Sequence, residues 1–173
     1  MKLKHLLVLS LLTGITIASC TKDEDQLNNT DRTFMLRASV SNTAEIDAAN
    51  LALNKSTNTA VRNYAQHMIT EHTTAQTDLK SLGTSVGFMV NDTLDPVHMT
   101  IRTHLASLSG NQFDSAYMHS QINDHEVTML NFRNEQSNGQ HREVRNYADT
   151  YLPHLREHTE RADSIAAIYF RRR

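Results

Sequence analysis

Val61-Arg62-Asn63-Tyr64-Ala65-Gln66-His67-Met68-Ile69-Thr70-Glu71-His72-Thr73-Thr74-Ala75-Gln76-Thr77-Asp78-Leu79-Lys80-Ser81-Leu82 is the stretch whose reading decides the fold. Val61, Ala65, Met68, His72, Ala75, Leu79 and Leu82 recur alternately four and three residues apart, the spacing of a helix that turns one face to a core. Six of these seven positions are apolar and the middle one is a histidine. The pattern therefore predicts a helix from about Asn58 to Leu82 that carries an imidazole halfway along its buried face.

The same reading extends outward in both directions. A turn at Asn54–Thr57 separates this helix from an Ala-rich one over Asp31–Leu53, where Glu45 shares a stripe with Phe34, Ala38, Ser41, Ala49 and Ala52. Downstream, Gly83, Gly87 and Asp95-Pro96 break the pattern, giving a long connection with a short helix inside it, over about Val97–Leu108. A helix over Gln112–Ser137 presents Asp114, Met118, Ile122, His125, Met129 and Phe132. Asn138-Gly139 then turns the chain into a last helix over His141–Tyr169, whose seam runs through Val144, Ala148, Tyr151, Leu155, His158, Ala162, Ile165 and Tyr169. Pro153 lies inside that helix and is expected to kink or split it near Tyr151. With five Gly, two Pro and no Trp in 173 residues, the fold class is all-α: a four-helix bundle with a long connection between its second and third long helices.

Each long helix thus sets one metal-capable side chain in the middle of its apolar face: Glu45, His72, His125 and His158. Counting about 1.5 Å per residue from the two turns, Glu45 and His72 lie roughly 16 and 24 Å down, and His125 and His158 roughly 21 and 28 Å. All four fall near mid-bundle, so one shared site is geometrically permitted. A single buried histidine is more often a hydrogen-bonded core residue than a ligand. A buried carboxylate is costlier and must be paired, protonated or coordinated. The four groups together support two readings, a metal site or a satisfied polar network. The mixed nitrogen and oxygen set suits one transition metal, Zn, Fe, Mn or Cu. Asp114, three turns from His125, and His154, four residues before His158, are expected to brace the ligands from outside. His67, His119 and His141 fall off the seams and are read as surface residues.

The N-terminus carries a different signal. Lys2 and Lys4 precede a largely apolar run, Leu6–Ala18, well short of the roughly 20 residues a membrane-spanning helix needs. The run closes with Ile17-Ala18-Ser19-Cys20, which looks like a lipobox: a branched apolar residue, two small residues and the cysteine to be lipidated. Residues 1–19 are accordingly read as a cleaved lipoprotein signal peptide, Cys20 as the lipidation site, 20–30 as the lipidated cysteine and a flexible tether, and 31–173 as the bundle. The acidic Asp23-Glu24-Asp25 in that tether resembles surface-export signals of Bacteroidetes-type lipoproteins; a solvated linker reads equally well. Localisation is then the cell envelope, as an outer-membrane lipoprotein facing the periplasm or the surface, with the membrane as partner through the lipid. Cys20 is the single cysteine, which excludes a disulfide and a thiolate metal site in the bundle.

Cleavage leaves 15 basic against 19 acidic side chains, a formal charge of −4 with histidine neutral, so nucleic acid is not expected as a partner. Arg171-Arg172-Arg173 reads as a solvated helix end. No nucleophile with its base, Gly-rich phosphate loop or G-x-S-x-G elbow is visible, so no catalytic constellation supports an enzyme.

Several of these segments carry a resemblance. Ala44-Glu45-Ile46, Tyr64-Ala65-Gln66-His67-Met68 through Glu71-His72, Phe113-Asp114 with Tyr117, Asp124-His125-Glu126, and Leu152-Pro153 through Arg156-Glu157-His158 together resemble the bacterial ferritin-like "predicted outer membrane protein" family, a domain of unknown function. The resemblance spans about Phe34–Ser164 and implies a ferritin-like four-helix bundle in the envelope. It marks Glu45, His72, Asp114, His125 and His158 as the positions of interest and supplies no activity. Di-iron ferritins place Glu-x-x-His on two helices; here Ile69 and Leu155 stand three residues before His72 and His158, so a two-iron oxidase is not expected. The leading expectation is a lipid-anchored bundle that binds one metal ion, serving metal handling or stress resistance. The alternative is a metal-free helical module that packs against an envelope protein partner.

Overall fold

The computed structural model describes residues 25–170. Cys20, the 1–19 leader, most of the 20–30 tether and the terminal arginines lie outside the described residues. Among the described residues there are five helices and no strand: α1 (Asn29–Lys55), α2 (Thr59–Ser85), α3 (Pro96–Ser107), α4 (Gly110–Asn138) and α5 (Arg142–Tyr169). None of these helices is long and apolar enough to cross a membrane.

Local chemistry starts the helices. Asn28 caps α1 in a reciprocal box: its side chain accepts from the Asp31 amide at 2.8 Å, and Asp31 accepts from the Asn28 amide at 2.6 Å. Helix thus begins inside the segment expected to be tether. Asn58 caps α2, and Asp95 followed by Pro96 opens α3, where a proline costs no hydrogen bond. Asp31 has a second task. Fully buried, it also accepts from the Gln140 and His141 amides at 2.9 and 3.1 Å, tying the start of α1 to the α4–α5 turn.

Helix α1 packs on α2 and α4, and α5 packs on α4 and α2, with α3 laid across α1 and α4. Two apolar clusters fill the interior. One gathers Phe34 and Met35 of α1, Leu79 of α2, Phe132 of α4 and Val144 and Leu155 of α5. The other gathers Ala49 and Ala52 of α1, Val61 and Met68 of α2, Phe113 and Tyr117 of α4 and Ala162 of α5. The order along each helix gives the topology. Helices α1 and α5 start at the first cluster, whereas α2 and α4 end there, an up-down-down-up arrangement. The connection between α2 and α4 must therefore traverse the length of the bundle, which explains its size. Ser39 holds it to α1 by donating to the Asn91 carbonyl at 2.9 Å, and Gln76 of α2 donates to Asp92 at 2.7 Å.

Two sequence expectations need correction. Pro153 does not split the last helix, which runs unbroken from Arg142 to Tyr169. Pro153 and Asp149, whose carbonyl the ring frees, are both exposed, so water can take over the missing bond. The buried face of α5 is also rotated slightly, covering Leu152 and Ala166 in place of Tyr151 and Ile165.

Gly83 offers a direct check of the α2 exit. It is buried, its carbonyl accepts from the Phe88 amide at 2.8 Å, and an added Cβ would collide with the Phe88 carbonyl oxygen. Gly83→Ala is therefore expected to lower unfolding free energy by about 1–3 kcal/mol, read from chemical denaturation. Wild-type stability in this variant would show that the exit turn is less constrained than its packing implies.

Candidate metal centre

Between the two apolar clusters the core turns polar. Asn42 and Glu45 of α1, His72 and Gln76 of α2, Gln121 and His125 of α4 and His158 of α5 are all buried at this level. Helical periodicity puts one imidazole from each of α2, α4 and α5 there, and the packing brings them together. The His72, His125 and His158 rings lie with centroids 5.2–5.5 Å apart, and each offers a ring nitrogen within 4.8 Å of those of the other two.

Hydrogen-bond partners decide which nitrogens are available. His125 Nδ1 lies 2.8 Å from the Gln121 carbonyl, an acceptor, so Nδ1 carries the proton and Nε2 keeps its lone pair. That Nε2 lies 3.2 Å from His158 Nδ1. His72 Nδ1 lies 3.0 Å from Asn42 Oδ1. Asn42 is oriented in turn, its amide nitrogen donating to Gln76 Oε1 and to the Tyr147 hydroxyl oxygen at 3.2 Å each. The Asn42 oxygen therefore faces His72, and His72 also holds its proton on Nδ1. His72 Nε2 and His158 Nε2 are buried and have no hydrogen-bond partner. Leaving such atoms unpaired costs about 1–3 kcal/mol each, so their persistence calls for another partner.

A metal ion fits that role. Bonds of about 2.0–2.1 Å hold the nitrogens of a trigonal or tetrahedral ion about 3.3–3.6 Å apart. One nitrogen of each ring already lies within 4.8 Å of the other two, so shifts of about 1 Å would close the set around an ion. Metal-binding histidines commonly donate their second N–H to a carbonyl or amide oxygen that fixes the ring; Asn42 and the Gln121 carbonyl occupy those positions here.

The other expected residues fall elsewhere. Glu45 is buried as predicted, but Oε1 lies 3.5 Å from His125 Nδ1, the nitrogen facing away from the cluster, so it is not a fourth member. Asp114 is buried near the start of α4 with Oδ1 lacking a hydrogen-bond partner, three turns from His125 and outside the cluster. His154 does not brace the cluster: its ring is 46% exposed and sits 3.0 Å from Glu71 Oε2. Of the presumed surface histidines, His141 is buried, its side chain accepting at the start of α5. His67 is half-buried with its ring edge-on to His158 at 5.3 Å. Asn42 and Gln76 were not anticipated, although their spacing points to them: each stands four residues beyond a buried-face position, Ala38 and His72.

Electrostatics keep the layer uncharged. Burial is the main cause that lowers all three histidines, His125 to about 4, with mutual repulsion adding to the effect at His72 and His158. Burial and the nearby Asp124 raise Glu45 to about 8, against a hydrogen bond from Gln121. Glu45 and His125 therefore meet at neutral pH as neutral groups rather than as an ion pair.

A pH dependence follows for the metal-free protein. The histidines bind protons less tightly when folded, so their stabilisation is present above 6.5 and is lost as pH falls below it. Glu45, and likewise Glu135, held near 8 by burial and by Asp31, bind protons more tightly when folded. Their stabilisation is present below 4.5 and is lost as pH rises toward 8. With three histidines set against two carboxyls, melting temperature in chelator is expected to peak near about pH 6 and to decline on both sides. Glu45→Gln should make the alkaline decline shallower and move the maximum to higher pH. Melting that rises steadily from pH 7 down to pH 5 would mean that the histidines charge freely in the fold and only the carboxyls are felt.

No curated protein matches the chain significantly. Among solved structures, a DUF305 fragment from Deinococcus radiodurans superposes with a TM-score of 0.74 at 13% identity, covering 82% of this chain and 98% of that one. CopM in its Cu(I)-bound form superposes with a TM-score of 0.69 at 15% identity, and in its Ag-bound form with 0.67 at 16%. Both CopM alignments again cover 82% of this chain and 98% of that one. At such identities the likeness establishes a shared helical fold. A family model described as a domain of unknown function (DUF4142) matches residues 18–165, and the chain belongs to that family.

Proposed function

We propose that this protein binds one transition-metal ion, Cu(I) foremost, through His72, His125 and His158, and serves metal handling at the cell envelope. The observation that carries the reading is the convergence of three buried, neutral imidazoles, two of them with unpartnered Nε2 atoms. An all-nitrogen set without a carboxylate favours copper or zinc over manganese. Burial favours the lower charge, because the cost of placing an ion in an apolar interior rises steeply with charge. CopM, a fold neighbour seen with Cu(I) and with Ag, adds support for a soft monovalent ion. The cleft reaching His72 and His158 has room for about a water molecule and not for an organic substrate, which favours holding or passing on an ion over catalysis.

The up-down-down-up order with a single long crossing connection supports a ferritin-like description of the bundle. The stretch Ile17-Ala18-Ser19-Cys20 supports anchoring by a lipid on Cys20, in the outer membrane on its periplasmic or surface face. A second reading, a helical module that docks an envelope protein, draws on the groove between α1, α3 and α4, where Leu36, Val97, Val127 and Leu130 are exposed.

Titration of chelator-stripped protein with Cu(I) under reducing conditions, against a competing chelator, is expected to give one equivalent. His125→Ala should abolish binding, and Asn42→Ala should weaken it by roughly 10–100-fold. Failure to bind Cu(I), Zn²⁺, Fe²⁺ or Mn²⁺, with melting unchanged by each, would leave the docking module. Separately, Cys20→Ser is expected to move the full chain from the membrane fraction to the soluble fraction and to abolish labelling by a fatty-acid analogue. Retention and labelling in that variant would exclude the lipid anchor.

A further inference from the structure

The metal-capable side chains do not stop at the buried cluster. On α2, His67 and Glu71 stand one turn apart; on α5, His154 and His158 do the same. The two pairs face each other across the α2–α5 contact. His67 packs edge-on against His158 with ring centroids 5.3 Å apart, and Glu71 Oε2 lies 3.0 Å from His154 Nδ1. Exposure falls steadily inward along this seam. The His154 and Glu71 side chains are 46% and 31% exposed, His67 is half-buried, and His158 and His72 are 2% and 3% exposed. A narrow cleft lined by Glu71, His154, Leu155, Asn42, His72 and His158 runs from the outer pair to the triad, and His67 stands against His158 without lining it.

We propose that this seam is the route by which the cation reaches and leaves the buried triad, with Glu71 and His154 as a transient outer binding site and His67 beside His158 at the inner threshold. The inference rests on the metal-binding reading above. Its physical basis is the cost of a bare ion in an apolar core, which is avoided if each ligand is exchanged for another within reach. A carboxylate and an imidazole, both partly exposed, can take the ion from water; His158 can receive it while still in contact with His125.

A second cleft exists on the opposite side of the bundle and provides the contrast. It is lined by Glu45, Gln121, Asp124 and His98; behind Glu45, 3.5 Å away, lies His125 Nδ1, which is already committed to the Gln121 carbonyl. The α2–α5 cleft ends instead on His72 and His158, whose Nε2 atoms have no other partner.

The test is the kinetics of exchange on the folded chain. Cu(I) is presented by a coloured chelator under reducing conditions, loading is followed by the chelator's absorbance, and removal is followed with a stronger chelator. The double variant Glu71→Gln/His154→Ala and the single variant His67→Ala are expected to load and to release several-fold more slowly, with one-ion stoichiometry and equilibrium affinity unchanged. Asp124→Asn, in the opposite cleft, should keep wild-type rates. Wild-type rates in the seam variants would overturn the route while leaving the triad intact. Affinity falling with the rates would make these residues ligands of the resting site and overturn the route as stated. Slowing confined to Asp124→Asn would assign the route to the other cleft. A wild-type protein that takes up no ion would overturn the triad reading itself, and the route with it.

Discussion

The bundle is organised around a polar layer that must stay uncharged. Three imidazoles and a carboxyl sit between two apolar clusters, where an unpaired charge would cost more than the whole fold can spare. Every neighbouring feature serves that constraint. Asn42 and the Gln121 carbonyl accept one N–H hydrogen bond each from His72 and His125, Gln76 and Tyr147 hold Asn42 in the orientation that allows it, and burial keeps Glu45 protonated near neutrality. Partners are complete on one side of His72 and of His158 and missing at their Nε2 atoms, and this asymmetry is what the proposed metal reading rests on.

The scaffold around the layer is fixed by contacts far from it. Asp31 locks the start of α1 to the α4–α5 turn, and Ser39 and Gln76 hold the long connection against α1 and α2. Gln76 belongs to both sets. It meets Asp92 of the connection, which pairs with Lys80 at the surface, and it accepts from Asn42 beside His72. A continuous hydrogen-bonded chain therefore runs from the surface to the imidazole cluster. Such a chain fixes the His72 ring to within narrow limits, as a ligand geometry requires.

Membership of a family without an assigned function leaves chemistry to carry the functional argument, since folds of this kind host unrelated activities. Under the proposed reading the site suits binding better than turnover. Its donors converge on a point rather than on a cavity, its surroundings are apolar, and its connection to solvent is a narrow seam graded in exposure. Those properties agree with the proposed reading, in which an ion is kept and exchanged.

Helix positions, the two hairpins and the burial of His72, His125, His158 and Glu45 were all legible in the amino-acid sequence, because a 3.6-residue period states which side of a helix faces inward. Tertiary structure decided the rest. Periodicity places a side chain on a face but not the rotation or axial offset of neighbouring helices, and a shift of a few ångströms determines which atoms meet. Glu45 thus lies behind His125 instead of beside His72, and Asn42, one turn earlier, takes the place against His72. His154, on the same stretch as His158, turns out to Glu71 and water. Which nitrogen of each ring is free was likewise beyond the sequence, since it depends on a carbonyl and an amide oxygen that only the packed helices bring into reach.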